Sequence, residues 1–132
     1  MSDKTILVVD DEPFILRALT YVLNREGFTT ISAANGDEAL AAIRSAKPSL
    51  VFLDVMMPCR NGFEVCQEIK ADPATAGVHI ILLTAKGQEA DRARGLAAGA
   101  DEYMTKPFSP SEVLARAREI VGCPRAGMTQ GS

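Results

Sequence analysis

The sequence predicts an α/β fold, a three-layer sandwich with helices on both faces of a mostly parallel sheet. Residues 6–9 (ILVV), 50–53 (LVFL) and 80–83 (IILL) are apolar runs rich in Val, Ile and Leu, without polar alternation. That is the pattern of strands covered on both faces. Segments with apolar residues at helical spacing separate them. Strands alternating with helices require right-handed crossovers, and these place helices on both sides of the sheet.

Five strand–helix units follow in order. After the strand at 6–9, Pro13 suits a first helical turn, and Ile15, Leu19 and Val22 keep one face. Gly27 suits the left-handed position after that helix. A weaker strand spans 28–32, followed by a helix marked by Ala39, Leu40 and Ile43. The strand at 50–53 precedes a helix marked by Cys66 and Ile69, and the strand at 80–83 precedes one marked by Ala90, Ala93 and Ala97. A last strand spans 102–105, bracketed by Glu102 and Lys106, charges suited to an edge that must not recruit another chain. Ser109-Pro110-Ser111-Glu112 reads as a capping box that opens a helix marked by Val113, Ala117 and Ile120. Residues 5–121 therefore read as one domain, and 122–132, which lack periodicity, as a disordered tail or the start of a linker.

Composition narrows the function. A chain of 132 residues with 47% hydrophobic content can bury a self-sufficient core. The net charge of −3, with neither half strongly basic, argues against a large phosphate-tracking surface, so direct nucleic-acid binding is not expected. Apolar runs of four residues are far too short to span a membrane, and the start, MSDK, does not resemble a signal peptide. Three cysteines, Cys59, Cys66 and Cys123, form no CxxC pair, which fits a reducing cytoplasm.

In an open α/β sheet, ligands bind beyond the carboxyl ends of the strands. Asp10 and Asp11 follow the first strand, Asp54 the third, Thr84 the fourth and Lys106 the fifth. Alone, each has a plain reading as a turn, cap or surface residue. Together they deliver three carboxylates, a hydroxyl and an ammonium to one rim. Crowded carboxylates repel unless a cation compensates, and Mg²⁺ takes such hard oxygen ligands alongside phosphate oxygens. The set suits phosphoryl chemistry, with one carboxylate as nucleophile forming an acyl phosphate.

Asp10-Asp11-Glu12, Asp54-Val55-Met56-Met57-Pro58, Asn61-Gly62, Thr84-Ala85 and Lys106-Pro107-Phe108 together resemble the receiver domain of two-component response regulators, over about residues 5–121. The resemblance implies a flavodoxin-like fold with a five-stranded parallel sheet of order 2-1-3-4-5 and five helices. It implies that Asp54 accepts a phosphoryl group from the phosphohistidine of a sensor histidine kinase or a histidine phosphotransfer protein. Asp10, Asp11 and Asp54 would hold Mg²⁺, with Mn²⁺ as an alternative, and Met56 would add its backbone carbonyl. Thr84-Ala85 and Lys106 would meet the phosphoryl group, through a cis bond before Pro107. Tyr103 would turn inward when Thr84 is drawn to the phosphate, and the surface of the fourth helix, fifth strand and fifth helix would then recognise an output protein or downstream domain. Phosphorylation-dependent dimerisation belongs to the same expectation. Met56 and Lys86 occupy positions where such domains tune phosphoryl lifetime.

The implied protein is a signalling module that catalyses its own phosphorylation and dephosphorylation rather than a metabolic enzyme. A small phosphohydrolase is disfavoured because Asp10 and Asp11 are adjacent and no cap insertion encloses a substrate. A nucleotide-binding module lacks GxGxxG or GxxxxGK[ST] after the first strand. Met56 and Met57 read as gap-filling side chains, Cys59 as incidental despite its nearness to the rim, and His79 as a surface residue away from it.

Overall fold

The computed structural model describes residues 5–57, 60–85, 89–106 and 109–122. Ten elements alternate: β1 (Thr5–Val9), α1 (Pro13–Arg25), β2 (Thr29–Ala33), α2 (Gly36–Ala46), β3 (Leu50–Asp54), α3 (Gly62–Ala71), β4 (His79–Ala85), α4 (Glu89–Ala97), β5 (Glu102–Lys106) and α5 (Pro110–Val121). The strands form one parallel sheet of order β2-β1-β3-β4-β5. This is the expected three-layer architecture and strand order. Among the described residues no helix is long and apolar enough to cross a membrane.

Alternation along each strand divides the core in two. Ile6, Val8, Leu50, Phe52, Ile81 and Leu83 pack with Leu19 and Leu23 of α1 and with Val113 and Ala117 of α5. Leu7, Val9, Val51, Leu53, Ile80 and Leu82 pack with residues of α2 and α3 and with Ala98 just beyond α4. The strand residues of both sets are fully buried, which is why the three central runs read as continuous apolar stretches instead of alternating ones.

Local signals set the helix ends. Pro13 stands in the first turn of α1, and Gly27 takes φ 99° just after it. The side chain of Asn35 caps α2, while α3 and α5 open with reciprocal capping boxes, Asn61 with Glu64 and Ser109 with Glu112.

Some details differ from the sequence reading. The weak strand is shifted one residue, to Thr29–Ala33, and β4 extends from His79 to Ala85, so Thr84 lies within it. Among the described side chains of α4 and the turn after it, the inward positions are Gly95 and Ala98, whereas Ala93 and Ala97 are exposed; the burial of Ala90 lies outside the described residues. Alanine carries too little apolar surface to mark a face, and glycine marks this one because a Cβ there would lie 2.8 Å from Leu82 Cδ1. The charges at the ends of β5 do not stand guard on the edge. Glu102 is engaged by His79 and Arg116, and Lys106 turns toward the carboxylates of β1 and β3.

Candidate functional site

The carboxyl ends of β1 and β3 are neighbours in the sheet, with Val9 paired to Leu53. Asp10 follows β1 and Asp54 ends β3, so chain topology alone sets two acidic residues side by side. One carboxylate oxygen from each of Asp10, Asp11 and Asp54 lies within 4.8 Å of the others. Asp10 and Asp54 are buried, and Asp11 is exposed at the mouth. By strand alternation Asp54 follows the side of Leu50 and Phe52, and Lys106 follows the side of Met104, which packs against the α1/α5 core.

Lys106 spans the pair. Its Nζ donates to Asp10 Oδ2 at 3.1 Å and lies 3.5 Å from Asp54 Oδ1. Each carboxylate also accepts one backbone N–H from its own chain two residues on, Glu12 N to Asp10 Oδ1 at 3.0 Å and Met56 N to Asp54 Oδ1 at 3.2 Å. These local bonds fix the rotation of both side chains.

The electrostatics are unbalanced. Burial, reinforced by the neighbouring Asp10, pushes the Asp54 carboxyl from 3.8 up to about 6, outweighing the pull of Lys106 and of the Met56 N–H. Burial also works against the Lys106 ammonium, but Asp54 and Asp10 overcome it and hold its pKa above the ordinary value. One ammonium facing three carboxylates leaves negative charge over. A hard divalent cation of the magnesium kind fits this all-oxygen donor set and the leftover charge.

Thr84 is buried in β4, one residue past Leu83, which pairs with Asp54. It follows the side of Ile80 and Leu82, facing the α2–α3–α4 layer, and register places Tyr103 opposite Leu82 and Thr105 opposite Thr84 on that same side. Tyr103 is about two-fifths exposed. Met56 is mostly exposed, so only Met57 fills a gap in the core as expected of both. Cys59, Lys86 and Pro107, with its cis bond, lie outside the described residues, as does most of the 122–132 tail.

His79 begins β4 at the opposite end of the sheet, and its Nε2 lies 2.8 Å from Glu102 Oε2. It is half-buried and hydrogen-bonded to a carboxylate that Arg116 also engages, rather than a plain surface residue. Glu102 is desolvated there, yet Arg116 and His79 hold its pKa below the ordinary range.

Two glycines lie closer to neighbouring backbone than the sequence specifies, Gly62, which stood in the Asn61-Gly62 motif, and Gly36, which the sequence reading did not single out. A Cβ on Gly62 would lie 2.5 Å from Asp54 O and 2.8 Å from Val55 Cα, so α3 starts hard against the backbone of the acidic strand end. A Cβ on Gly36 would lie 2.3 Å from Arg60 O. Glycine after an Asn cap signals both places, Asn35-Gly36 and Asn61-Gly62, but not the closeness of the approach.

A family profile described as "Response regulator receiver domain" matches residues 6–118. The chain belongs to the response regulator receiver domain family. This receiver is 49% identical over 115 residues to the DNA-binding response regulator MtrA of Mycolicibacterium smegmatis, covering 87% of the chain and 49% of the relative. It is 48% identical to the alkaline phosphatase synthesis transcriptional regulatory protein PhoP of Bacillus subtilis, covering 90% of the chain and 49% of the relative. The chain thus spans about half the length of the curated relatives it matches. Among solved structures, a response regulator from Chloroflexus aurantiacus aligns with TM-score 0.83 at 35% identity, covering 89% of this chain and 97% of that one. The receiver domain of a sensor histidine kinase from Pseudomonas aeruginosa, with magnesium coordinated in its active-site cleft, aligns with TM-score 0.81 at 28% identity, covering 90% and 98%.

Receivers are signalling modules that bind Mg²⁺ at an acidic site, and this receiver carries such a cluster in Asp10, Asp11 and Asp54. One expectation needs correction. Direct nucleic-acid binding was argued away on the charge of this chain, yet the relatives that match it at 48–49% identity include proteins named as DNA-binding response regulators. Charge within a receiver does not report on a DNA-contacting surface carried elsewhere in a protein twice as long.

Proposed function

We propose that this receiver takes a phosphoryl group from the phosphohistidine of a histidine kinase onto Asp54 in a Mg²⁺-dependent step, and that the resulting acyl phosphate switches its output surface. The observation that carries the proposal is the convergence of Asp10, Asp11 and Asp54 within 4.8 Å, bridged by Lys106. Asp54 acts in its carboxylate form, which the Lys106 ammonium and the Met56 N–H favour against its burial. Its Oδ1 is held by Met56 N–H and Lys106, and Oδ2 is the nucleophile. The new O–P bond forms as the N–P bond of phosphohistidine breaks, and the departing imidazole keeps the bonding pair and takes up a proton. Asp10, Asp11, Asp54 and the Met56 carbonyl would hold Mg²⁺, which would neutralise charge on the phosphoryl oxygens. Lys106 shifts from the free carboxylates to the phosphorylated one.

Thr84, with the adjoining Ala85, and Tyr103 form the readout. Thr84 and Tyr103 occupy the same side of adjacent strands, so a pull on the Thr84 hydroxyl acts on the layer where Tyr103 lies. The α4–β5–α5 surface then changes shape and governs the output. By analogy with the DNA-binding relatives, that output is control of transcription by the longer protein in which such a receiver operates. The residues 5–121 act as one receiver unit in the cytoplasm, where phosphohistidine donors meet it.

Intact-mass spectrometry with acetyl phosphate and Mg²⁺ tests this. The expected result is a phosphoryl adduct that needs Mg²⁺ and disappears in Asp54→Ala. An adduct of equal yield in the mutant refutes the acceptor assignment. Failure of the folded wild-type chain to bind both Mg²⁺ and beryllofluoride refutes phosphoryl acceptance.

A further inference from the structure

The dipeptide Asn-Gly occurs twice, at Asn35-Gly36 and Asn61-Gly62, and each asparagine caps a helix. Such a pair is open to attack within the chain, because glycine has no Cβ to shield its amide nitrogen from the side chain that precedes it. The two copies share most of their surroundings. Each asparagine is half-buried, and its Oδ1 accepts the third N–H of its helix, from Glu38 N and from Glu64 N, at 2.9 Å in both. Each glycine is buried and pressed on the backbone of another segment, Gly36 on Arg60 and Gly62 on Asp54 and Val55. Packing and capping therefore do not tell the two apart.

Hydrogen bonding does. Gly62 N donates to Val55 O at 3.1 Å, and Asn61 N donates to Glu64 Oε1 at 3.1 Å. At the other copy Glu38 Oε1 is taken up one residue early, by Ala34 N at 2.9 Å. Neither Asn35 N nor Gly36 N has an acceptor among the described residues. Closing a ring requires the glycine N–H to give up its proton and the nitrogen to turn toward Cγ of the asparagine before it. A donated hydrogen bond opposes both, so the Gly62 nitrogen is held back and the Gly36 nitrogen is not.

We propose that Asn35 is a site of spontaneous deamidation in the folded protein, while Asn61 is protected from it. A bond forms from Gly36 N to Asn35 Cγ as the Cγ–Nδ2 bond breaks. Ammonia departs with the proton given up by the Gly36 amide and leaves a cyclic imide. Water opens the ring at one carbonyl or the other, giving aspartate or isoaspartate, and no oxidant or cofactor takes part. Either product adds negative charge to a turn that already carries Asp37 and Glu38. Aspartate keeps a capping oxygen, whereas isoaspartate inserts a methylene into the main chain between β2 and α2. That stretch begins just after Ala33, whose carbonyl accepts the Asp10 N–H at 3.2 Å.

The test incubates the intact chain in mildly alkaline buffer, folded and in urea, and follows both asparagines by peptide mass spectrometry that separates aspartate from isoaspartate. In the folded protein Asn35 is expected to convert about three- to tenfold faster than Asn61, the rate factor of one hydrogen bond. In urea, where the bond from Gly62 is gone, the two rates should converge. Asn35→Ser keeps a capping oxygen and cannot close the ring, so only the slow reaction at Asn61 should remain. Equal rates in the folded chain overturn the proposal, because they place the reaction in a shared unfolded state, and so does a faster Asn61. An Asn35 that stays intact in the folded chain while converting in urea overturns it too. A preference for Asn35 that persists unchanged in urea would belong to the flanking residues rather than to the hydrogen bond, and would also overturn it.

Discussion

Replacing Asp54 by Asn should stabilise the metal-free protein, and by an amount that depends on pH in a definite way. The folded protein raises this carboxyl from 3.8 to about 6, mainly through burial and then through Asp10. A raised carboxyl pKa means the native state holds its proton more tightly than the unfolded chain does. Stability is therefore complete below about pH 4, declines between 3.8 and about 6, and is lower throughout above that. At about 1.4 kcal/mol per pKa unit, the cost at pH 8 is about 3 kcal/mol. Asn keeps the acceptor for Met56 N–H but loses the attraction to Lys106, so the expected gain is about 1–3 kcal/mol, or about 1 M in the urea midpoint. Urea unfolding followed by circular dichroism in chelator, at intervals from pH 4 to 8, reads it directly. The two proteins should coincide at the acid end, separate as pH rises from about 4 to about 6 and stay apart by a constant amount above that, and added Mg²⁺ should close the gap by stabilising wild type more. A difference that is independent of pH, or an Asn variant less stable at pH 8, would refute the account of why this carboxylate is poised.

Lys106→Met removes an ammonium that lies within hydrogen-bonding range of Asp10 and beside Asp54, so the Asp54 midpoint should rise above its present value of about 6. Carboxyl ¹³C titration measures it, and a midpoint that stays or falls would contradict the assignment. Cys66 is fully buried with its thiol pushed to about 11, so at pH 8 roughly one molecule in a thousand carries the thiolate. Iodoacetamide should label it only as urea unfolds the chain, as resolved by peptide mass; rapid labelling of native protein would refute its inertness. Gly95→Ala should destabilise by about 1 kcal/mol net, the clash at 2.8 Å with Leu82 Cδ1 exceeding the helix-propensity gain. A more stable variant in urea would show that α4 can shift outward at no cost.

The fold was legible where burial is extreme. Three strands covered on both faces leave unbroken apolar runs, and Pro13, Gly27 and the Ser109–Glu112 box mark helix ends by backbone chemistry that acts locally. The acidic cluster was legible because parallel strands all end at one rim, so Asp10, Asp54 and Lys106 meet regardless of their distance along the chain. What escaped depends on side-chain reach and close approach. Nothing in the residue type says that Arg60 would bridge α2 and α3 instead of facing water. Ala93 and Ala97 of α4 misled because small side chains give no contrast between a buried and an open face.

The alternation of β5 has a bearing on how such a protein can be altered at all. Met104 packs in the α1/α5 core, and Lys106, two residues on, reaches the carboxylates, while Tyr103 and Thr105 take the other side of the sheet. Inserting or deleting one residue in this short strand would exchange the two sets, sending the ammonium away from the acid pair and an aromatic ring toward it. On the proposed function, chemistry and output are thus written on the same five residues in interleaved frames. Lineages can revise either message letter by letter, through substitution, but neither can be lengthened or shortened without scrambling the other.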